Sequence, residues 1–145
     1  MSRREAARTE EIDGKEEDSA MTDDRGWTLD MSAGPIFEQI GKNVRRSLAR
    51  GDLQPGEKLP SARDLAQELG VNPNTIVHAY AQLEAQEIIE KRRGLGTFVR
   101  EDAPVGTMRS EMLMGIVETF VDEIRKLGVD QEEALTALKE AWDAG

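Results

Sequence analysis

Ser61, Arg63, Asn72, Asn74, Thr75 and His78, followed by Lys91, Arg92, Arg93 and Gly94, bring hydroxyl, amide, imidazole and cationic groups together within one short stretch of the chain. Amides and guanidinium groups pair with the edges of bases, and lysine and arginine charges meet phosphate. The same stretch offers little for catalysis. His78 is the one histidine of the chain, there is no cysteine, and no nucleophile stands at a suggestive spacing from a paired acid. Thiol chemistry, a disulfide scaffold and a multi-histidine zinc site are thereby excluded, and the protein is expected to be neither an enzyme nor a carrier of a metal or cofactor.

The elements needed to position these groups are legible around them. Ser61 has the character of a helix cap, with Asp64 three residues on completing a capping box, and Leu65, Ala66 and Leu69 form the inward face of the short helix that follows. Gly70 suits the left-handed conformation that stops that helix. Asn72 and Pro73 then make a cap and a first helical residue, and the next helix should run to about Gln86. Its stripe of Ile76, Ala79, Tyr80 and Leu83 is buried in this reading, which leaves Asn74, His78, Ala81 and Ala85 outside, with Val77 on the flank. Small Ala66 at the crossing and Ile76 beneath the second helix give the spacing of a helix-turn-helix. Polar groups on its first turn with small residues behind them suit a helix laid into a major groove. Arg63 lies outward near the positive end of a helix dipole, where a cation gains nothing locally. A phosphate or base edge accounts for it better than a neighbouring carboxylate such as Asp64 or Glu68.

Residues 88 to 99 read as two strands joined at Arg93-Gly94-Leu95-Gly96, whose glycines permit positive backbone angles. With Lys91, Arg92 and Arg93 at its tip, this hairpin is a basic wing. Upstream, Pro35 opens a helix with an apolar stripe of Ile36, Phe37, Ile40, Val44 and Leu48, while Lys42 and Arg45 read as solvated surface. Gly51 ends that helix, and Pro55-Gly56 has the form of a type II turn before an extended piece at Glu57 to Leu59.

Net charge is -10 over 145 residues, yet it is unevenly spread. Residues 1–34 hold five basic against ten acidic side chains, residues 35–100 ten against eight, and residues 101–145 four against eleven. Only the middle is net positive, and phosphate contact depends on the local field of one face rather than on the total. Residues 1–25 carry almost no large apolar side chain and read as a disordered acidic tail. Trp27 and Leu29 mark the first contact with a core. No apolar run approaches a membrane span, so a cytoplasmic protein without membrane association is expected.

Beyond the breaker Ala103-Pro104-Val105-Gly106, the residues Leu113, Val117, Phe120, Ile124 and Leu127 step by four, three, four and three, which is the seam of a helix packed on another helix. Gly128 terminates it. Asp130 with Glu133 caps a last helix with Ala134, Leu135, Leu138, Ala141 and Trp142 on its apolar face. Two such helices form a hairpin too thin to bury both faces, so a second copy of the chain is expected against this seam. The fold class is thus mainly α with a small β-wing: a winged helix-turn-helix domain over residues 26–103, then a two-helix dimerisation hairpin over 104–145.

From about Leu29 to Arg100 the chain resembles the GntR family of bacterial transcription regulators, through the helix around PIFEQI, then PGEKLPSARDLAQELGVNPNT, AYAQLEAQEII and RRGLGTFV. The short tail resembles the YtrA-like branch, which has no large effector domain. The resemblance implies a homodimer that binds a palindromic, inverted-repeat operator on double-stranded DNA, usually to repress a nearby operon that often encodes a transporter. It also implies DNA contact by Arg63, by Asn72, Asn74 and Thr75 at the start of the recognition helix, and by Arg93 with Gly94 at the wing tip. Pro73 and Val77 depart from the broader family, which more often has arginines there. A small-molecule effector, if there is one, is expected between domains or at the dimer interface, since the tail is too short to enclose a pocket of about 300 Å³ by itself. The competing function is a winged-helix module that binds another protein and no DNA, to which the acidic flanks would be suited.

Overall fold

The computed structural model describes residues 20–22 and 26–145. The chain divides into a unit ending at Val105 and a unit spanning Gly106–Gly145.

The first unit begins with a short antiparallel pair, β1 (Ala20–Thr22) and β2 (Thr28–Asp30), in which Ala20 faces Asp30 and Thr22 faces Thr28. β1 lies within the stretch expected to be an acidic tail. Its pairing with β2 uses backbone groups and does not depend on apolar side chains. Residues 1–19 and 23–25, the remainder of that tail, lie outside the described residues.

α1 (Ile36–Arg50) holds β2 through its own side chains. The Gln39 amide acts as a substitute strand: its Oε1 accepts from Asp30 N–H at 2.7 Å and its Nε2 donates to Asp30 O at 2.7 Å. Buried Asn43 donates to Thr28 O at 3.1 Å, and the Trp27 indole N–H donates to Ser47 Oγ at 2.9 Å. These bonds satisfy polar groups that would otherwise be costly so close to the core. Two hydrogen bonds from Ser32, the hydroxyl's first and then the backbone N–H, hold the Asp30 carboxyl below the usual carboxylate range.

Gly51 closes α1 in the left-handed conformation, at φ 86°. The turn after it has Glu57 N–H on Gln54 O at 3.1 Å and Gly56 at φ 86°, the positive angle that a type II turn requires at its third residue. β3 (Lys58–Leu59) follows, then α2 (Ala62–Leu69), α3 (Pro73–Ala85) and the wing strands β4 (Ile89–Arg92) and β5 (Gly96–Val99). The sheet order is β3-β5-β4, antiparallel throughout, with Lys58 opposite Phe98 and Arg92 opposite Gly96. Leu48, Ile40 and Val44 of α1, Leu65 of α2, Ile76 and Leu83 of α3, and Ile89 and Val99 of the sheet are fully buried together in one core. Tyr80 is core as expected, its hydroxyl donating to Pro60 O at 2.8 Å. Arg45 is less free than a solvated cation, since its guanidinium donates to the Gln86 amide.

The second unit consists of α4, most of Val105–Lys126, and α5 (Gln131–Ala144). Gly128, at φ 74°, and Asp130, whose carboxylate accepts from Glu133 N–H at 2.9 Å, separate the two helices as the sequence indicates. As expected of so thin a pair, they leave much of their apolar surface exposed. Among the described residues Ala134 is the one residue of α5 that is buried. A heptad-like stripe identifies an apolar face without specifying what covers it. Between them opens a groove of about 430 Å³, lined by Val117, Phe120, Ile124, Ala134, Leu135 and Leu138. It is an open groove and not an enclosed pocket.

Trp27 is 4 % exposed and Trp142 79 % exposed, so unfolding of the first unit changes the environment of one indole. Gln39→Ala removes both bonds to Asp30 and should lower stability by about 1–3 kcal/mol, read from the urea or thermal midpoint of Trp27 fluorescence. An unchanged midpoint would show that the amide is replaceable by water.

Candidate nucleic-acid interface

Ser61 occupies the N-cap of α2, where its Oγ accepts from Asp64 N–H at 3.0 Å. That bond leaves the hydroxyl proton of an exposed residue available to an external acceptor. Arg63, one turn in, is exposed. Asn72 caps α3 in the same manner, its Oδ1 accepting from Asn74 N–H at 2.8 Å, so that its amide N–H₂ remains as the outward group. Asn74 is exposed beside it, and Thr75 is half-buried.

Along α3 the outward residues are those the helical period places there: Asn74, Val77, His78, Ala81 and Ala85 are all exposed. His78 carries a contact that its position on the helix does not reveal. Its ring stacks on Phe37 at the start of α1, with centroids 4.0 Å apart and planes 15° from parallel. The flat faces of an imidazole so placed are engaged on one side, and its nitrogens lie at the ring edge.

The wing separates the three cations grouped by sequence. Lys91, Arg93 and Gly94 are exposed, Gly94 at φ 75°. Arg92 is not free in the same sense: its Nε donates to Glu90 Oε2 at 3.0 Å and its guanidinium lies 4.1 Å from the centre of the Phe98 ring. Strand alternation is the cause. Glu90, Arg92 and, across the pairing, Phe98 share one face of the hairpin, whereas Lys91 points to the other.

A groove of about 560 Å³ is bounded by the start of α2, the outer face of α3 and the sheet; Lys58, Ser61, Val77, Ala81, Lys91 and Thr97 are among its walls. Lys58 is the residue that reading the sequence passed over. Its stem lies across Gly96, where a Cβ would stand 2.9 Å from Lys58 Cε, so glycine at φ 119° makes room for it. No local pattern marks Lys58, since its place depends on β3 pairing with β5 across a long sequence interval. Among the described residues no ion pair takes up Lys58, Arg63, Lys91 or Arg93. By contrast Arg100, just past the wing, is engaged with Asp102 at 2.8 Å, a pairing that holds the carboxyl below its usual range and raises the guanidinium. The second group of predicted residues lies in the other unit. Leu113, Leu127, Leu135, Leu138 and Trp142 are exposed, Val117 borders on half-buried, and Phe120 and Ile124 are half-buried at the groove between α4 and α5.

An exposed cap residue, an outward helix face of amides and small side chains, and unpaired cations on a hairpin therefore converge on one surface of the first unit. Known proteins match both the sequence and the fold. The family model for bacterial regulatory proteins of the gntR family matches residues 36–99. The HTH-type transcriptional regulator YhcF of Bacillus subtilis is 39 % identical over 115 residues, covering 79 % of this chain and 95 % of that one. The HTH-type transcriptional repressor YtrA of the same organism is 37 % identical over 103 residues, covering 71 % and 75 %. Among solved structures, a GntR family transcriptional regulator from Listeria monocytogenes superposes with a TM-score of 0.65 at 35 % identity, covering 74 % of this chain and 96 % of that one. The chain belongs to the GntR family: it is a winged helix-turn-helix, DNA-binding transcriptional regulator and not an enzyme.

Proposed function

We propose that this regulator represses transcription as a homodimer bound to an inverted-repeat operator, acting in the cytoplasm on a nearby operon, with a transporter operon as the family-based expectation. The observation that carries the DNA-facing part is the shared surface of α2, α3 and the wing, where cations that no ion pair among the described residues takes up meet the amides of Asn72, whose cap bond is already made, and Asn74. Repression is supported by similarity to YtrA of B. subtilis, a repressor by name. No helix of the described residues is long and apolar enough to cross a membrane.

In this reading Arg63 and Asn74 reach base edges, with Asn72, Thr75 and the edge of the His78 ring beside them. Ser61, Lys58, Lys91, Arg93 and the Gly94 amide meet phosphate or the minor groove. Arg92 moves from the phosphate contacts to a supporting role, because Glu90 and Phe98 already hold it. Each lost phosphate contact should weaken binding to every sequence and reduce the slope of log affinity against log salt by about one. Lys91→Ala and Arg93→Ala should do this with melting temperatures unchanged, whereas Arg92→Ala should lower the melting temperature and leave the salt slope as in the parent protein. Salt titrations on operator and random duplexes check the set. Slopes that match the parent protein in both Lys91→Ala and Arg93→Ala would remove the wing from the interface.

Dimerisation is assigned to α4 and α5, whose exposed Ile116, Leu127, Leu135, Leu138 and Trp142 form an apolar surface larger than the pair itself covers. Two copies related by a two-fold axis would bury it and set half-sites about one DNA turn, roughly 34 Å, apart. Leu138→Glu should yield monomers in sedimentation that bind a single half-site weakly, and Trp142 emission should stay that of a solvated indole at all concentrations. Phe120→Glu tests the groove in the same way. Variants that stay dimeric at full operator affinity would place the interface elsewhere.

A further inference from the structure

We infer that Val77 determines specificity by seating the C5-methyl group of one thymine in each half-site against the groove between α3 and the wing. The inference rests on the DNA-facing role of that surface proposed above.

Val77 is 52 % exposed on the outer face of α3. A single exposed aliphatic side chain is ordinary. Val77 is not single: it continues into the exposed methyl of Ala81 and the ring of Tyr80, which together make one apolar wall of the groove. Lys58 and Lys91 line the same groove from the sheet, and Asp64 contributes its one carboxylate at the start of α2. Apolar wall and cationic rim have distinct uses against a duplex. The Lys91 ammonium suits a phosphate flanking the site and would fix how deeply α3 enters. The wall then meets the base edge.

Of the four bases, thymine alone presents a methyl group in the major groove, and the other edges there are hydrogen-bonding groups. Valine can neither donate nor accept, so a guanine or cytosine edge pressed against it would lose water without a replacement. A thymine methyl gains by the same contact. Asn74, one helical turn before Val77 and also exposed, has the donor–acceptor pair that matches adenine. The outward ridge of α3 is thus matched to adenine and thymine at neighbouring steps.

The test uses the full chain and the duplex that it selects from a randomised pool, with each thymine of the half-sites replaced in turn by deoxyuridine, which lacks only the methyl. At one symmetric position the parent protein should lose about four-fold in affinity per half-site, the effect of exposing one methyl-sized group. Val77→Ala should bind the thymine and uracil duplexes equally at that position, with salt slope and melting temperature unchanged. Val77→Thr, which keeps a methyl, should retain part of the discrimination. Uracil tolerated at every position by the parent protein overturns the inference, as does a penalty that persists undiminished in Val77→Ala. Failure to bind any duplex would overturn the DNA-facing reading itself and is seen before a uracil is introduced.

Discussion

The crossing of α2 on α3 is the contact on which the rest of the winged unit depends. Ala66 lies there at 2 % exposure, small enough for the backbones to approach, with Leu65 and Ile76 fully buried on either side. Gly70 makes the turn possible at φ 69°, and Val71 N–H closes on Ala66 O at 3.0 Å. A residue with a Cβ would pay about 1–2 kcal/mol in that left-handed conformation. With the crossing fixed, the rotation of α3 about its axis is fixed too. Burial of Ile76, Ala79, Tyr80 and Leu83 leaves Asn74, Val77 and Ala81 no orientation but outward. The Tyr80 hydroxyl on Pro60 O then ties α3 to the end of β3, and through β3 to the wing.

An acidic protein that binds DNA poses no electrostatic contradiction once charge is taken locally. The net charge of -10 is a property of the whole chain, whereas residues 35–100, which carry the α2–α3–wing surface, are net positive, and screening to a Debye length of about 10 Å at 0.1 M salt makes the local balance the relevant one. What matters further is whether each cation is already engaged. Glu90 and the Phe98 ring satisfy Arg92, so the basic run Lys91-Arg92-Arg93 contributes fewer free charges than its composition indicates. Lys58, from outside the run, is a further cation that no ion pair among the described residues takes up.

The two units obtain their order from different sources. Nearly every large apolar residue between Trp27 and Val99 that faces inward is buried, which is what an independently stable core requires. In α4 and α5 the caps at Gly128 and Asp130 are well made, but the apolar face stays open over most of its length. Good capping contributes of the order of 1 kcal/mol per site, which defines where a helix ends and does not hold two helices together.

Features that depend on near neighbours in the chain were determined by sequence alone. The caps at Ser61, Asn72 and Asp130, the left-handed glycines 51, 70 and 128, the type II turn at Pro55-Gly56 and the buried stripe of α3 all follow from interactions spanning a few residues. Only the tertiary structure decided the pairing of Ala20–Thr22 with β2, the place of Lys58 over Gly96, the stacking of His78 on Phe37 and the groove between α4 and α5. Even the fate of Arg92, two residues from Glu90, was decided by Phe98 across the hairpin. Each of these joins groups whose proximity is set by strand register or helix packing. Residue type and local spacing say what a side chain can bond to, and the fold alone says what comes within reach.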